Sequence, residues 1–200
     1  MITVNDIIRI DLSKDELNDC IDNAQMVLRN LLDREDLHER DDLERFHNIL
    51  IGEIAEKMVL KWLLQQGKRA ISTVDKSSGL PDAGHDIELL TVEGKVIQCS
   101  VKSSLSFKMG LEGIIQNFKL ASTKSEIREV NIQVYFWLDL TPPNSQSRTS
   151  VPTVRNSAII GWFGANDLNS FEAYKHEQRM APTKPLKTAR PMSELLKYIE

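Results

Sequence analysis

An aspartate and a lysine, Asp86 and Lys102, are the side chains of this sequence with the clearest potential for chemistry. Carboxylate oxygens are the ligands that hard divalent ions such as Mg²⁺ prefer, and such ions keep water and substrate phosphates in their remaining positions. Cutting a phosphodiester needs this metal, a water that attacks phosphorus, and a cation that orients the water or neutralises the developing charge. Two acids and one lysine, brought together, would meet these needs.

Candidates for the second acid are Glu53 and Glu56, which lie in a stretch, about 43–66, that predicts a helix. At about 100° per residue, both glutamates fall on the apolar stripe of that helix. A carboxylate on a buried stripe is costly unless it is hydrogen-bonded, paired with a Lys or Arg, or bound to a metal. Both a structural salt bridge and a metal site are therefore open interpretations.

The segment before Lys102 predicts how Asp86 and Lys102 could meet. Side chains alternate along a strand, so one face should carry Ile97, Cys99 and Val101, and the other Gln98, Ser100 and Lys102. Asp86 opens the preceding extended segment, and Glu93-Gly94 is a turn signal between the two. A hairpin across that turn would bring Asp86 close to Lys102.

The remaining elements follow from caps and periodicity. A capping box at Ser13 and Glu16 predicts a first helix to about Leu32, and Asp41 or Asp42 is expected to cap the second helix, which ends at Gly67. Strands are expected near 69–75, 132–139 and 157–163, the second of them central, and short helices near 111–118, 166–174 and 193–199. The polar segment 141–156 and the proline-bearing tail should run over the surface. This order predicts an α/β or α+β class.

Composition bounds the class of protein. The length of 200 residues suits one domain, here 1–200, and no stretch reaches the roughly 20 apolar residues of a membrane span, so we expect a cytoplasmic protein without a membrane partner. Cys20 and Cys99 fit neither a disulfide framework nor a zinc spacing, and we expect reduced core residues.

Residues 1–100 carry 12 basic and 20 acidic side chains (12 − 20 = −8), and residues 101–200 carry 13 and 9 (13 − 9 = +4). A polyanion could therefore meet the second half.

From Ile49 to Ser104 the sequence resembles the PD-(D/E)xK nuclease superfamily. The resemblance rests on Gly52-Glu53-Ile54-Ala55-Glu56 before Gly67, on Gly84-His85-Asp86-Ile87, and on Ser100-Val101-Lys102. It implies a restriction-endonuclease-like fold, a central mixed sheet flanked by helices, with an N-terminal helical extension (1–42), a core (43–140) and a C-terminal part (141–200). It also implies that Glu56, a better match than Glu53, and Asp86 bind Mg²⁺ or Mn²⁺, and that Lys102 assists the attacking water. Asp82 is the rival aspartate.

The chain departs from the family pattern at Ser100, where a Glu or Gln is usual and serine is a weak Mg²⁺ ligand. Similar enzymes with this departure recruit a carboxylate from a following helix, which makes Glu112 a candidate substitute. Gln98, on the same strand face, is a second candidate.

The function expected from this resemblance is a Mg²⁺-dependent DNA endonuclease, acting by analogy as a homodimer. The basic residues expected to contact the DNA backbone are Lys108, Lys119, Lys124, Arg148 and Arg155. Two alternatives stay open: a catalytically inactive protein of the same fold that binds nucleic acid or protein, and a plain α/β domain whose buried acids are structural. His85 and the three tryptophans are expected to be structural: Trp62, Trp137 and Trp162.

Overall fold

Two long helices open the molecule and lie against the sheet that carries the candidate residues. The computed structural model describes residues 1–30, 41–73, 85–122, 124–138, 154–168, 172–176 and 179–200. Within these ranges, the helices α1 to α5 span Lys14–Asn30, Asp42–Gln65, Leu111–Asn117, Ala165–Leu168 and Met192–Tyr198. The strands β1 to β8 span Ala70–Ser72, Ile87–Leu90, Val96–Ser106, Lys119–Ala121, Val130–Trp137, Ser157–Gly164, Glu172–His176 and Arg179–Pro185.

Helix boundaries follow the local signals. The Ser13 amide donates to Glu16 Oε2 at 2.7 Å, and the Glu16 amide donates to Ser13 Oγ at 3.2 Å, so the predicted capping box is confirmed. Asp41 caps α2 by accepting a 2.8 Å hydrogen bond from the Glu44 amide. Gly67 follows α2 with φ of 71°, a left-handed conformation that favours glycine.

Five strands form the central sheet, in the order β1-β2-β3-β5-β6. β3 and β5 are parallel, while the other neighbouring pairs are antiparallel. The connection from β3 to β5 includes α3, as a parallel pair requires a crossover. The predictions of a mixed central sheet flanked by helices, and of β5 as a central strand, are confirmed, since every residue of β5 is buried.

The sheet separates two apolar clusters. We call the side that packs on α1, α2 and α5 the first face; there the sheet contributes Cys99, Val130 and Ile132 among others. The opposite side, the second face, packs Tyr135 and Trp137 of β5 against α3 and the segments around β4 and α4. Strand alternation thus assigns each candidate residue to one face or the other. Trp62, Trp137 and Trp162 are buried, as expected.

A second sheet, β4-β8-β7, corrects the predicted C-terminal part. The helix expected at 166–174 ends at Leu168, and the segment Glu172–His176 is instead strand β7; likewise, residues 179–185 form β8 instead of wrapping the surface. Pro182 is tolerated in β8 because it pairs with β7 on one side and lies beyond the part of β8 that pairs with β4. Pro185 is tolerated because it is the last residue of β8.

Residues at the C-terminal end close the first face. After α5, the Glu200 amide donates to the Leu90 carbonyl at 2.7 Å, and the Glu200 carbonyl accepts from the Arg69 amide at 2.8 Å. Lys68 Nζ donates to the Ile199 carbonyl at 2.8 Å. The last residues therefore tie together the end of α2 and the first two strands.

Of the helices in the described ranges, none is both long and apolar enough to cross a bilayer. Cys20 and Cys99 are both buried in the core, as expected, and are not joined in a disulfide.

Candidate functional site

The hairpin of β2 and β3 places Asp86 beside the residues that precede Lys102. Its register pairs Ile87 with Cys99, so Asp86, the residue immediately before β2, lies opposite Ser100. The carboxylate of Asp86 accepts a hydrogen bond from the Val101 amide, with 2.5 Å between Oδ2 and N. Asp86 is thus attached to the strand residue between Ser100 and Lys102, on the hairpin that the sequence predicts.

The backbone of Asp86 is held on both sides. Its amide donates to the Cys99 carbonyl at 3.0 Å, and its carbonyl accepts from the Thr73 amide at 3.1 Å. Thr73 also donates through Oγ1 to the His85 carbonyl at 2.9 Å. β1 and β3 therefore fix the position from which the half-buried Asp86 side chain extends.

Lys102 forms an ion pair that no local sequence signal indicates. Its Nζ lies 3.3 Å from Oε2 of Glu126, which ends a short 3₁₀ turn, Lys124–Glu126. The Lys102 side chain is 27% exposed and that of Glu126 is 47% exposed, so the pair is accessible to solvent. Glu126 lacks any motif context, and only the fold shows that it reaches Lys102.

The two glutamates of α2 are buried on the first face, as the helical pattern predicts. Glu53 is 8% exposed and accepts a hydrogen bond of 3.3 Å from Asn23 of α1. Glu56 is 7% exposed and accepts a hydrogen bond of 2.5 Å from the Ser72 hydroxyl of β1. Both glutamates line a cavity of about 220 Å³ between α1, α2 and β1.

Glu56 and Lys102 approach the same end of the sheet from different faces. Ser72, the partner of Glu56, lies opposite Ile87 of the first face. Lys102 alternates with Val101, which packs on the first face, and therefore belongs to the second. The link between them is Thr73, which follows Ser72 and binds the Asp86 backbone.

The candidate substitutes for the absent carboxylate lie elsewhere. Gln98 is exposed on β3, four residues before Lys102, which is about 13 Å along a strand. Glu112 is exposed in the first turn of α3. Ser100 is 3% exposed, beside Asn131 of β5.

Four of the five basic residues predicted to contact DNA lie in the described ranges. Lys108, Lys119 and Arg155 are exposed, and Lys124 begins the turn that carries Glu126. The predictions for Arg148 and for the rival aspartate Asp82 lie outside the described residues.

Cys99 and His85, two neighbours of Asp86, are both buried ionisable side chains. Burial and, next, the negative charge of Asp86 raise the pKa of the Cys99 thiol well above its usual range, so Cys99 stays protonated and unreactive at neutral pH. His85 is 5% exposed, and its Nε2 lies 3.5 Å from a carboxylate oxygen of Glu88.

The described side chains could supply only part of the ligand set of a hard divalent ion. In the described ranges, no group of three or more His, Cys, Asp or Glu side chains is arranged to hold a metal. Mg²⁺ is nevertheless commonly bound by one or two carboxylates, with water and phosphate completing its octahedron. Asp86, at the solvent-accessible end of the hairpin, offers such an oxygen ligand.

Compared with known proteins, the chain matches no family model, no curated protein and no solved structure.

Proposed function

We propose that this chain is a Mg²⁺- or Mn²⁺-dependent DNA endonuclease with a restriction-endonuclease-like fold. The observation that carries the proposal is the hydrogen bond from the Val101 amide to the Asp86 carboxylate, next to Lys102. A carboxylate that can hold a divalent ion and a nearby lysine are two of the groups that metal-assisted phosphodiester cleavage uses. The mixed central sheet flanked by helices is compatible with that fold.

The proposed roles follow from the contacts. A bound divalent ion would polarise the scissile phosphate and lower the pKa of its water. Asp86 would hold the ion, and Lys102 would orient the attacking water and offset negative charge that develops on the phosphate. Glu56, the other proposed metal ligand, lies on the first face of the sheet, whereas Lys102 belongs to the second, so the metal contact beside Lys102 would come from Asp86.

DNA would be bound mainly through its phosphates. Lys108, Lys119, Lys124, Arg148 and Arg155 would supply affinity without reading sequence, so binding should weaken steeply with salt.

The test is cleavage of supercoiled plasmid by the purified chain, with Mg²⁺, Mn²⁺ or EDTA. We expect metal-dependent nicking or linearisation, at least 100-fold slower in Lys102→Ala and in Asp86→Asn, because each removes a charge that acts in the reaction. Lys95→Ala and Glu93→Gln are the matched controls: they remove the same charges from the exposed turn of the same hairpin and should cleave normally. Cleavage by Lys102→Ala at the rate of the wild type would contradict the assignment.

The ion pair of Lys102 with Glu126 favours a second function, because it would hold the lysine amine away from an attacking water. We propose as the alternative a nucleic-acid or protein-binding module of the same fold without catalysis. Salt-dependent DNA binding with no metal-dependent cleavage at any protein concentration would support this alternative over the nuclease.

A further inference from the structure

We propose that Glu126 supplies the carboxylate that Ser100 lacks, as the second acid of the site formed by Asp86 and Lys102. This inference rests on the proposed nuclease function and names a residue for it. Its starting point is the 3.3 Å distance between Glu126 Oε2 and Lys102 Nζ.

The position of Glu126 matches what an acid at residue 100 would provide. Ser100 and Lys102 are two residues apart, so their side chains lie on the same, second face, about 6.6 Å apart along the strand. A glutamate at position 100 would therefore place its carboxylate close to the Lys102 amine. Glu126 reaches that amine from outside the strand, from the turn that precedes β5.

The turn that carries Glu126 is fixed by hydrogen bonds. The Arg128 guanidinium donates to the carbonyls of Ser125 and Ile127, at 2.7 and 2.9 Å. Asn131 accepts from the Arg128 amide at 3.1 Å and donates to the Arg128 carbonyl at 2.6 Å. Glu126 is thus presented by a braced turn, which favours a defined role for its carboxylate.

The bracing side chain is the neighbour of Ser100. Asn131 is fully buried in β5 and lies beside Ser100 in the parallel register with β3. Asp86 lies opposite Ser100 on the other side, in the register with β2. Asp86 therefore flanks Ser100 on the β2 side, and Asn131, which braces the turn that carries Glu126, flanks it on the β5 side.

Charge favours a divalent cation between these acids. Asp86 and Glu126 carry two negative charges beside the single positive charge of Lys102, and both acids offer hard oxygen ligands. The other candidates fit less well, since Gln98 is about 13 Å away along the strand and carries no charge.

Metal binding tests the inference without relying on activity. Calorimetric titration of the full chain with Mn²⁺ should show one site, weakened about tenfold or more by Glu126→Gln and by Asp86→Asn. Glu93→Gln, an exposed acid on the β2–β3 turn, should leave the affinity unchanged. Glu126→Asp, which keeps the charge on a shorter side chain, should fall between Glu126→Gln and the wild type.

Moving the carboxylate gives a sharper test. We expect the double variant Ser100→Glu, Glu126→Gln to cleave plasmid about tenfold faster or more than Glu126→Gln alone. The reason is that the double variant again has a carboxylate next to Lys102. Ser100 is buried, so circular dichroism must show that the double variant is folded; if it is not, the titration series with Glu126→Asp decides the question.

The outcomes separate the inference from the function. Metal-dependent cleavage and Mn²⁺ affinity that are both unchanged in Glu126→Gln would overturn the role of Glu126 and leave the nuclease proposal standing. Faster cleavage by Glu126→Gln would also overturn it, because Glu126 would then restrain Lys102. A wild-type chain that neither binds Mn²⁺ nor cleaves DNA would overturn the proposed function itself.

Discussion

Asp86 combines two tasks at the level of the single residue. Its carboxylate accepts the hydrogen bond of the Val101 amide, immediately before the first residue of β2. The same carboxylate is the group proposed to hold a metal. The two roles of Asp86 can be separated by experiment. An asparagine at this position would still accept the hydrogen bond from Val101, but it would lack the negative charge.

This dual role predicts different stabilities for two substitutions of Asp86. Asp86→Asn should unfold in urea near the midpoint of the wild type, because its amide oxygen still accepts from Val101. Asp86→Ala should lose about 1–3 kcal/mol of unfolding free energy, because that backbone donor is left without its acceptor. Equal destabilisation by both substitutions would mean that the negative charge stabilises the fold.

At the scale of the element, local signals explain the helices. The Ser13 and Glu16 capping box and the Asp41 cap each lie within four residues of the helix that they start, so a sequence pattern specifies them. The β2–β3 hairpin is equally local, since its turn includes Gly94 with φ of 78°. These are the parts of the fold that could be predicted.

The second sheet could not be predicted from its own residues. Glu172–His176 and Arg179–Pro185 lack a clear alternation of apolar residues, and prolines argue against strands. β8 pairs with β7 and, at its end, with β4, which lies far earlier in the chain. The same limit applies to the site: Asp86, Ser100 and Lys102 share one hairpin, whereas the pairing of Lys102 with Glu126 depends on the turn that follows β4.

The capping box predicts a measurable contribution to α1. Ser13→Ala removes the hydroxyl that accepts from the Glu16 amide, and should lower the free energy of unfolding by about 1 kcal/mol. Lys14→Ala, at the first residue of the same helix, is the control and should change it by less than about 0.5 kcal/mol. Thermal and urea denaturation measure both, and an unchanged stability in Ser13→Ala would show that α1 is held by packing alone.

At the scale of the whole molecule, an ion pair links α4, which follows β6, to the C-terminal segment. Arg190 donates to Asp167 through Nε and Nη2, at 2.8 and 2.9 Å, and stacks on Trp162 with 5.0 Å to the ring centroid. Burial acts to raise the pKa of Asp167, but the hydrogen bonds from Arg190 and the Gly164 amide outweigh it, so that pKa lies below its usual range. Asp167 is therefore charged in the folded protein even in mild acid.

The lowered pKa of Asp167 sets the direction of a pH effect. A carboxyl group with a lower pKa in the folded state contributes stability above its unfolded pKa, and that stability is lost as the pH falls through the folded pKa. Asp167→Asn should therefore cost about 1 kcal/mol at pH 7, and the difference from the wild type should shrink below about pH 4. Urea denaturation at pH 7, 5 and 3 measures it; a difference that stays constant across this range would exclude the ion pair as its cause.

The hydrogen bonds that join Ile199 and Glu200 with Lys68, Arg69 and Leu90 have a consequence for synthesis in the cell. Translation adds about 5–20 residues per second, so some 110 residues, or roughly 5–20 s, separate the appearance of β2 from that of its last partner. During this interval the Arg69 amide and the Leu90 carbonyl lack the Glu200 groups that they bond in the folded protein, next to the edge strand β1, and this part of the nascent sheet is open to pairing with other chains. Chaperone dependence during translation, more than stability after it, is the property that this late closure should govern.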